Sequence, residues 1–250
     1  SKDCNGATYS GISIRGNNLT LNNCNSFPTS GNGIDVSGSN ITIKNVVVFS
    51  DVAEGSGINF DGVGSNVTVD GFHIYGNMGW GIAGTPNVIK NITIRNGLIE
   101  DAGKAGGAQK HVMYINNWQG FLVEDVTVLR SWNTGIKIVS ETYDGVFNRV
   151  TIKDSGRAGV SGPGVTLGDD RVSHIQRLKF TNCDIQNSIN PAIWVLDNVN
   201  PPKDITIDHC YFKNNYYAVQ IGRSGTGWII TNNVGYNQSA YARAQAVLQL

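Results

Sequence analysis

The chain has 250 residues, too few for two domains of ordinary size and enough to bury one continuous core. Its formal net charge is zero and only 15% of its residues are charged, so nucleic acid and anionic membranes have no electrostatic reason to bind it. No apolar run reaches the roughly 18 residues of a transmembrane helix, and the 31 Gly, 6 Pro and frequent Asn are typical of many tight turns.

A short phrase of alternating apolar residues returns along the whole chain, with the two-residue period of a strand. Its last residue tolerates a left-handed backbone in most copies, which predicts a corner where Asn side chains can stack. After Asp3, these final residues are Asn23, Asn45, Gly71, Asn96, Asp125, Asp154, Asn182, His209 and Asn232. The spacings, between 20 and 29 residues, indicate the coils of a β-solenoid.

A second phrase recurs in step with the first. In most copies it is Gly or Ala followed by an apolar residue, a variable central residue and another apolar residue. Alternate side chains of a strand point to opposite sides, so the central residues should face outward. We expect them to form one column with about 4.8 Å between neighbours. They are Ser13, Asp35, Asn59, Ala83, Tyr114, Lys137, Thr166, Trp194 and Gln220.

Together the two phrases resemble the pectin-lyase-like superfamily of right-handed β-helices over nearly the whole chain. The resemblance implies an all-β, single-stranded right-handed parallel β-helix of about ten coils across residues 1–250. Both ends of the chain lie inside coils, which predicts a fragment of a longer protein. Flanking domains, further coils or partner chains, as in a homotrimer, would then cap the open ends.

All four cysteines directly follow a corner residue, in a column that other coils fill with Val or Phe. We therefore expect this column to face the core. Bridges between stacked coils are possible for Cys4–Cys24 and Cys183–Cys210. Buried free thiols that pack as small apolar groups are the favoured expectation.

Groups that can move a proton cluster in the middle coils. Tyr114 and Lys137 should lie side by side on adjacent coils, and His111 begins the Tyr114 strand, where the chain can turn its ring outward. Proton abstraction at C5 of a uronate needs a base and a cation that stabilises the enolate-like intermediate. Tyr114 or His111 can serve as the base or acid and Lys137 as the cation. An ordinary Tyr–Lys surface pair explains these residues equally well.

Carboxylates support a second hypothesis, acid–base hydrolysis of a glycosidic bond. Asp35 and Asp61 should lie about 8 Å apart on neighbouring coils, within the range of inverting hydrolases. Asp169 and Asp170 resemble the paired Asp of polygalacturonase-type hydrolases, although the Gly-His-Gly of that family is missing. The acidic residues can instead hold Ca²⁺, and no other cofactor is expected.

Polar and aromatic residues near this face are candidates for contact with sugar. Trp194 is predicted to face outward and Trp118 to lie in a turn near the Tyr114 strand, where an indole offers a flat face to pyranose C–H groups. The candidate polar contacts are Asn59, Asn116 and Arg171.

The leading hypothesis is thus a carbohydrate-active β-helix that acts on or binds a polysaccharide, outside the cell, on its surface or on a virion. Both β-elimination and hydrolysis stay open. The alternative is a non-catalytic tailspike or adhesin segment, built for length. An enzyme should show a groove with convergent polar groups and perturbed ionisable residues, and a shaft should not.

Overall fold

The structure is a computed structural model. It describes residues 1–84, 86–104, 110–157, 162–169, 173–196, 199–222 and 225–238, without the side chain of Val63. Over these ranges the chain is all-β and every strand pairing is parallel, so the predicted parallel β-helix is confirmed. The described residues contain no helix long and apolar enough to cross a membrane.

Twenty-five strands build the described coils. In chain order they are β1 (Lys2–Asp3), β2 (Thr8–Tyr9), β3 (Ile12–Arg15), β4 (Leu19–Asn22), β5 (Asn25–Ser26), β6 (Ile34–Gly38), β7 (Ile41–Phe49), β8 (Ser56–Val63), β9 (Ser65–Tyr75), β10 (Trp80–Gly84), β11 (Ile89–Glu100), β12 (Met113–Asn116), β13 (Trp118–Leu129), β14 (Ile136–Val139), β15 (Glu141–Asn148), β16 (Thr151–Lys153), β17 (Val165–Leu167), β18 (His174–Thr181), β19 (Asp184–Gln186), β20 (Ile193–Val195), β21 (Lys203–Asp208), β22 (Tyr211–Lys213), β23 (Val219–Ile221), β24 (Ile229–Thr231) and β25 (Val234–Tyr236).

These strands form two sheets. Sheet 2 takes one strand from each coil, in the order β3, β6, β8, β10, β12, β14, β17, β20 and β23. Its nine strands are close to the ten coils expected from the repeat. Sheet 1 contains the other sixteen strands, and in β7, β9, β11 and β13 a single strand continues through the corner that follows the first phrase. Each coil therefore crosses sheet 1 and then sheet 2.

The core runs along the axis between the sheets and is filled by the flanking apolar residues of both phrases. The Phe147 and Phe180 rings stack with their centroids 4.6 Å apart. Where a ring needs more room, the neighbouring coil carries glycine: a Cβ on Gly97 would lie 2.0 Å from the Phe72 ring. Coil stacking is therefore a matched set of large and small residues, as in any close-packed interior.

The corners adopt the left-handed backbone that their Asn residues predict. Asn23, Asn45, Asn96, Asn182 and Asn232 of the predicted corners have φ between 51° and 55°. A second column of corners precedes the first phrase, where Asn18, Asn40, Asn66 and Asn91 have φ between 55° and 59°. Their amides form a ladder along the axis, because each Nδ2 donates to the Oδ1 one coil before it at 2.8–3.0 Å. Asn is favoured here since it tolerates this backbone and carries both a donor and an acceptor.

Two predicted corners are misplaced. Asp3 pairs with Asn22, and the left-handed residue of the first coil is Asn5, with φ 49°. Asp154 has the left-handed backbone of a corner, with φ 61°, but in a different column. Glu124 pairs with Asn148 and Thr127 with Thr151, so the residue stacked on Asp125 is Arg149, not Asp154. Arg149 has φ 53°, and its guanidinium binds both oxygens of the Asp125 carboxylate at 2.7 Å. At this corner the two-point ion pair takes the place of the asparagine ladder. Arginine is not a residue type that predicts left-handed backbone.

The cysteines lie in the core column as predicted, with between 0% and 7% of each exposed. The expectation of free thiols is wrong for Cys4 and Cys24, which form a disulfide between the first two coils. Cys183 and Cys210 are free and buried.

Candidate functional site

The outward face of sheet 2 carries the predicted column in unbroken register. The strand pairing connects each member to the next, from Ser13 through Asp35, Asn59, Ala83, Tyr114, Lys137, Thr166 and Trp194 to Gln220. We call this face the sheet 2 face. A carboxylate, a phenol, an ammonium group and an indole therefore follow one another along one line of the molecule.

Tyr114 and Lys137 are neighbours in the middle of this line. They are direct partners in the parallel pairing of β12 and β14, and both side chains are half-buried. Ala83 precedes Tyr114 in the column and is buried. A phenol and an ammonium group held one coil apart can contact the same sugar ring.

His111 completes the group two residues before β12. Its ring stacks on the Tyr114 ring with the centroids 5.9 Å apart and the planes 22° apart, so the chain turns it toward the sheet 2 face. Only 5% of the residue is exposed, and Nδ1 has no hydrogen-bond partner among the described residues. Burial, and the charge of Lys137, lower the pKa of His111 to about 3. The imidazole is therefore neutral near pH 7.

Aromatic and cationic side chains flank the Tyr114 coil, a feature that the sequence reading missed. Lys110 Nζ lies 3.4 Å from the Trp80 ring centroid and 2.7 Å from a Glu54 carboxylate oxygen. On the next coil, Lys104 Nζ lies 5.0 Å and the Arg157 guanidinium carbon 5.4 Å from the centroid of the Trp132 ring. Cations held on indole faces order both partners. In the sequence, these contacts are indicated only by Lys and Trp residues that cluster in the segments before the sheet 2 strands.

Asp35 is held on the sheet 2 face by two amides. Asn32 Nδ2 donates to its Oδ1 at 2.7 Å and Asn59 Nδ2 at 3.1 Å, so Asn59 stabilises the carboxylate. Asp61 is exposed on β8, the strand next to that of Asp35, and the register between β6 and β8 shifts after Val36. The predicted separation of the two carboxylates stays a prediction.

Asp169 lies beyond the sheet 2 strand β17. It accepts a hydrogen bond from Ser173 Oγ at 3.1 Å, and Ser173 Oγ accepts one from the backbone N–H of Ser140. The proposed partners Asp170 and Arg171 lie outside the described residues. In the described ranges, no group of three or more His, Cys, Asp or Glu could hold a metal ion, and the Ca²⁺ site stays a prediction.

Two predicted sugar contacts are wrong. Trp118 opens β13 instead of lying in a turn, and it pairs with buried Ile89, so its indole points into the core. There it packs edge-on against Phe60 and Phe121, fully buried. Asn116 is 7% exposed at the end of β12, and its Oδ1 has no partner in the described part of the chain. Strand alternation breaks there because the chain is turning toward the next corner.

Trp194 lies where the sequence places it. It is half-buried on β20, between Thr166 and Gln220 of the adjacent strands. It is thus two coils from Lys137, or about 10 Å along the axis. An indole at this distance suits a sugar unit two positions along a glycan chain from the one that contacts Lys137.

No protein-family model matches the chain, and no curated protein matches it. Among solved structures, the catalytic unit of the GH87 α-1,3-glucanase from Streptomyces thermodiastaticus has a TM-score of 0.47 and 12% identity, covering 94% of this chain and 48% of that chain. The A-module of the mannuronan C-5 epimerase AlgE6 from Azotobacter vinelandii has a TM-score of 0.41 and 9% identity, covering 87% of this chain and 90% of that chain. The tailspike protein of E. coli bacteriophage HK620 has a TM-score of 0.34 and 12% identity, covering 92% of this chain and 60% of that chain. The chain spans about half of the glucanase structure, and likenesses this distant carry no functional argument.

Proposed function

We propose that the chain is a carbohydrate-active β-helix protein that holds a polysaccharide along the sheet 2 face. The observation that carries this proposal is the group of His111, Tyr114 and Lys137: a phenol beside an ammonium group, backed by a buried imidazole that stays neutral. Burying a histidine without a partner for Nδ1 costs stability, and such costs concentrate at functional sites.

The chemistry that fits this group best is removal of the C5 proton of a uronate. Lys137 binds the substrate carboxylate and stabilises the negative charge that develops when the proton leaves. Tyr114 is the group that exchanges the proton. His111 supplies a neutral ring that holds the phenol in place without adding a second positive charge beside Lys137. In elimination, the C4–O bond to the neighbouring sugar breaks as the C4=C5 double bond forms, and Tyr114 passes the proton to the leaving oxygen, which gives an unsaturated uronate. Reprotonation of C5 from the opposite side instead gives the epimer.

Neighbouring side chains extend this site along the helix. Trp194 offers an aromatic surface on one side of Lys137, and Asp35 with Asn59 offers hydroxyl-binding groups on the other. Glycan chains present alternating apolar faces and hydroxyls, which such a mixed column can match. A protein with this role works outside the cell, on its surface or on a virion, and the disulfide between Cys4 and Cys24 suits such an oxidising location.

The test is an activity screen on polyuronates and neutral polysaccharides, read by the ultraviolet absorbance of unsaturated uronates, by reducing ends and by NMR detection of C5 inversion. We expect Tyr114→Phe and Lys137→Ala to lower turnover on a polyuronate by about 10²–10⁴-fold. Lys179→Ala is the matched control, because Lys179 is exposed on β18 in sheet 1. Full activity of Lys137→Ala would refute the assignment.

A second candidate reaction is hydrolysis, favoured by the way two amides hold the Asp35 carboxylate. Reducing ends without new absorbance, lost in Asp35→Asn, would support it. Binding without turnover would instead support the non-catalytic tailspike or adhesin segment, for which capping by flanking domains or a homotrimer is the natural assembly.

A further inference from the structure

Cys183 and Cys210 occupy the same core column as Cys24, which is disulfide-bonded to Cys4. Each directly follows a corner residue, Asn182 or His209. Thr181 pairs with Asp208 on one side of the two cysteines, and Asp184 pairs with Tyr211 on the other. Pairing on both sides places Cys210 directly on Cys183, one coil apart.

The geometry at the other end of the helix shows what this arrangement permits. Parallel strands lie about 4.8 Å apart, and disulfides form at Cα separations of about 4.4–6.8 Å. In the bonded pair, Cys4 and Cys24 have Cα atoms 5.0 Å apart, at a place where the register between the first two coils shifts. Buried cysteines of neighbouring coils can thus be joined across the spacing of the coils.

The two free thiols also contact each other. Cys183 is 3% exposed and Cys210 is 2% exposed, so no other thiol or solvent molecule competes for them. A hydrogen bond between the two sulfur atoms, together with burial, raises the pKa of Cys183. Each sulfur also lies within 3.6 Å of two backbone carbonyl oxygens of the sheet 1 strands that precede the corners.

We propose that Cys183 and Cys210 are an oxidisable dithiol that closes a second disulfide between coils. With a glutathione-type disulfide as oxidant, the thiolate of one cysteine attacks a glutathione sulfur and releases one glutathione thiolate. The second cysteine loses its proton, attacks the mixed disulfide and releases the other glutathione. Two protein thiols and one oxidised glutathione give one protein disulfide and two reduced glutathiones.

The bridge would close one complete coil, from Cys183 to Cys210, which carries Trp194 on the sheet 2 face. Its formation limits the opening of that coil, as Cys4–Cys24 does for the first. Since both thiols are buried, oxidation requires a transient opening of the coil. Its rate should therefore rise at denaturant concentrations below the unfolding transition.

The experiment uses the whole protein, first reduced, then equilibrated with oxidised glutathione, quenched in acid, unfolded and alkylated. Peptide mapping by mass spectrometry then counts the blocked and bonded cysteines. We expect the Cys183–Cys210 cross-linked peptide, with Cys4–Cys24 in the same sample as the internal control. Cross-linking of a loop this long should raise Tm on the order of 5–10 °C relative to protein bonded at Cys4–Cys24 alone.

Two double variants separate the contributions. Cys4→Ser/Cys24→Ser should still show the rise in Tm that accompanies formation of Cys183–Cys210 on oxidation. Cys183→Ala/Cys210→Ala should lack that rise. The mapping on the unmodified protein does not depend on either variant folding. Cys183 and Cys210 recovered fully alkylated, under conditions that fully form Cys4–Cys24 and with added denaturant, would overturn the proposal.

Discussion

His111 should make the stability of this protein fall steeply below neutral pH. The ring is buried against Tyr114, and desolvation and the charge of Lys137 lower its pKa to about 3. In the unfolded chain its pKa is about 6.5. Because the unfolded state then binds the proton and the folded state does not, acid favours unfolding.

The size of the effect follows from these two values. The contribution of the neutral ring is fully present above the unfolded pKa and is lost as pH falls from about 6.5 toward 3. Between pH 7 and pH 5 the unfolded imidazole takes up nearly one proton and the folded one almost none, which lowers the free energy of unfolding by about 2 kcal/mol. Near pH 3 the loss is about 4 kcal/mol.

The measurement is guanidinium unfolding of the wild type and His111→Gln at both pH values. Carboxylates such as Asp70 and Asp101, whose pKa values are lowered by arginine partners, respond to acid equally in both proteins and cancel in the difference. His174→Gln, at a half-exposed position, controls for the substitution itself. If the wild type and His111→Gln lose the same stability between pH 7 and pH 5, His111 is not buried as a neutral ring.

Three further substitutions test the packing and the faces of the helix. Gly97→Ala should lose about 1–3 kcal/mol of stability, because the new Cβ would lie 2.0 Å from the Phe72 ring, whereas Gly235→Ala, with open space around it, should not change Tm. Arg149→Gly should leave Tm unchanged or raise it, because glycine adopts the left-handed backbone without strain and this gain offsets the loss of the exposed ion pair with Asp125. A marked fall in Tm would show that the ion pair contributes more to stability than the backbone strain costs. Trp118→Ala should cost about 3–5 kcal/mol, and Trp194→Ala should lower polysaccharide affinity at unchanged Tm; the reverse pattern would contradict the assigned orientations.

The repeat made the coils and the sheet 2 face predictable because strand alternation acts on every residue of a phrase. Ser13 through Gln220 could be placed in one column from the second phrase alone, and the strand pairing confirms every step. The burial of the cysteines followed from the same register. These are properties of neighbouring residues in the chain, which a sequence displays directly.

Features that depend on a partner one coil away were harder to predict. Arg149 takes a corner because Asp125 lies beneath it, and no property of arginine itself signals this. Trp118 was expected in a turn because strand ends cannot be located from a two-residue period, and one position decides whether an indole is in the core. The Lys110–Trp80 contact joins residues 30 positions apart across coils of unequal length.

The burial of His111 beside Lys137 supports the choice of the sheet 2 face. On sheet 1, charged side chains of adjacent coils form ion pairs. Arg95 binds Asp70 at 2.8 Å, and Arg130 binds Asp101 at 2.7 Å. Such pairs connect neighbouring coils. On sheet 2, Lys137 pairs with Tyr114 on the neighbouring strand, and its charge disfavours the protonated form of the buried His111. An arrangement that lowers the stability of the protein at acid pH is better explained by a ligand than by the needs of the fold.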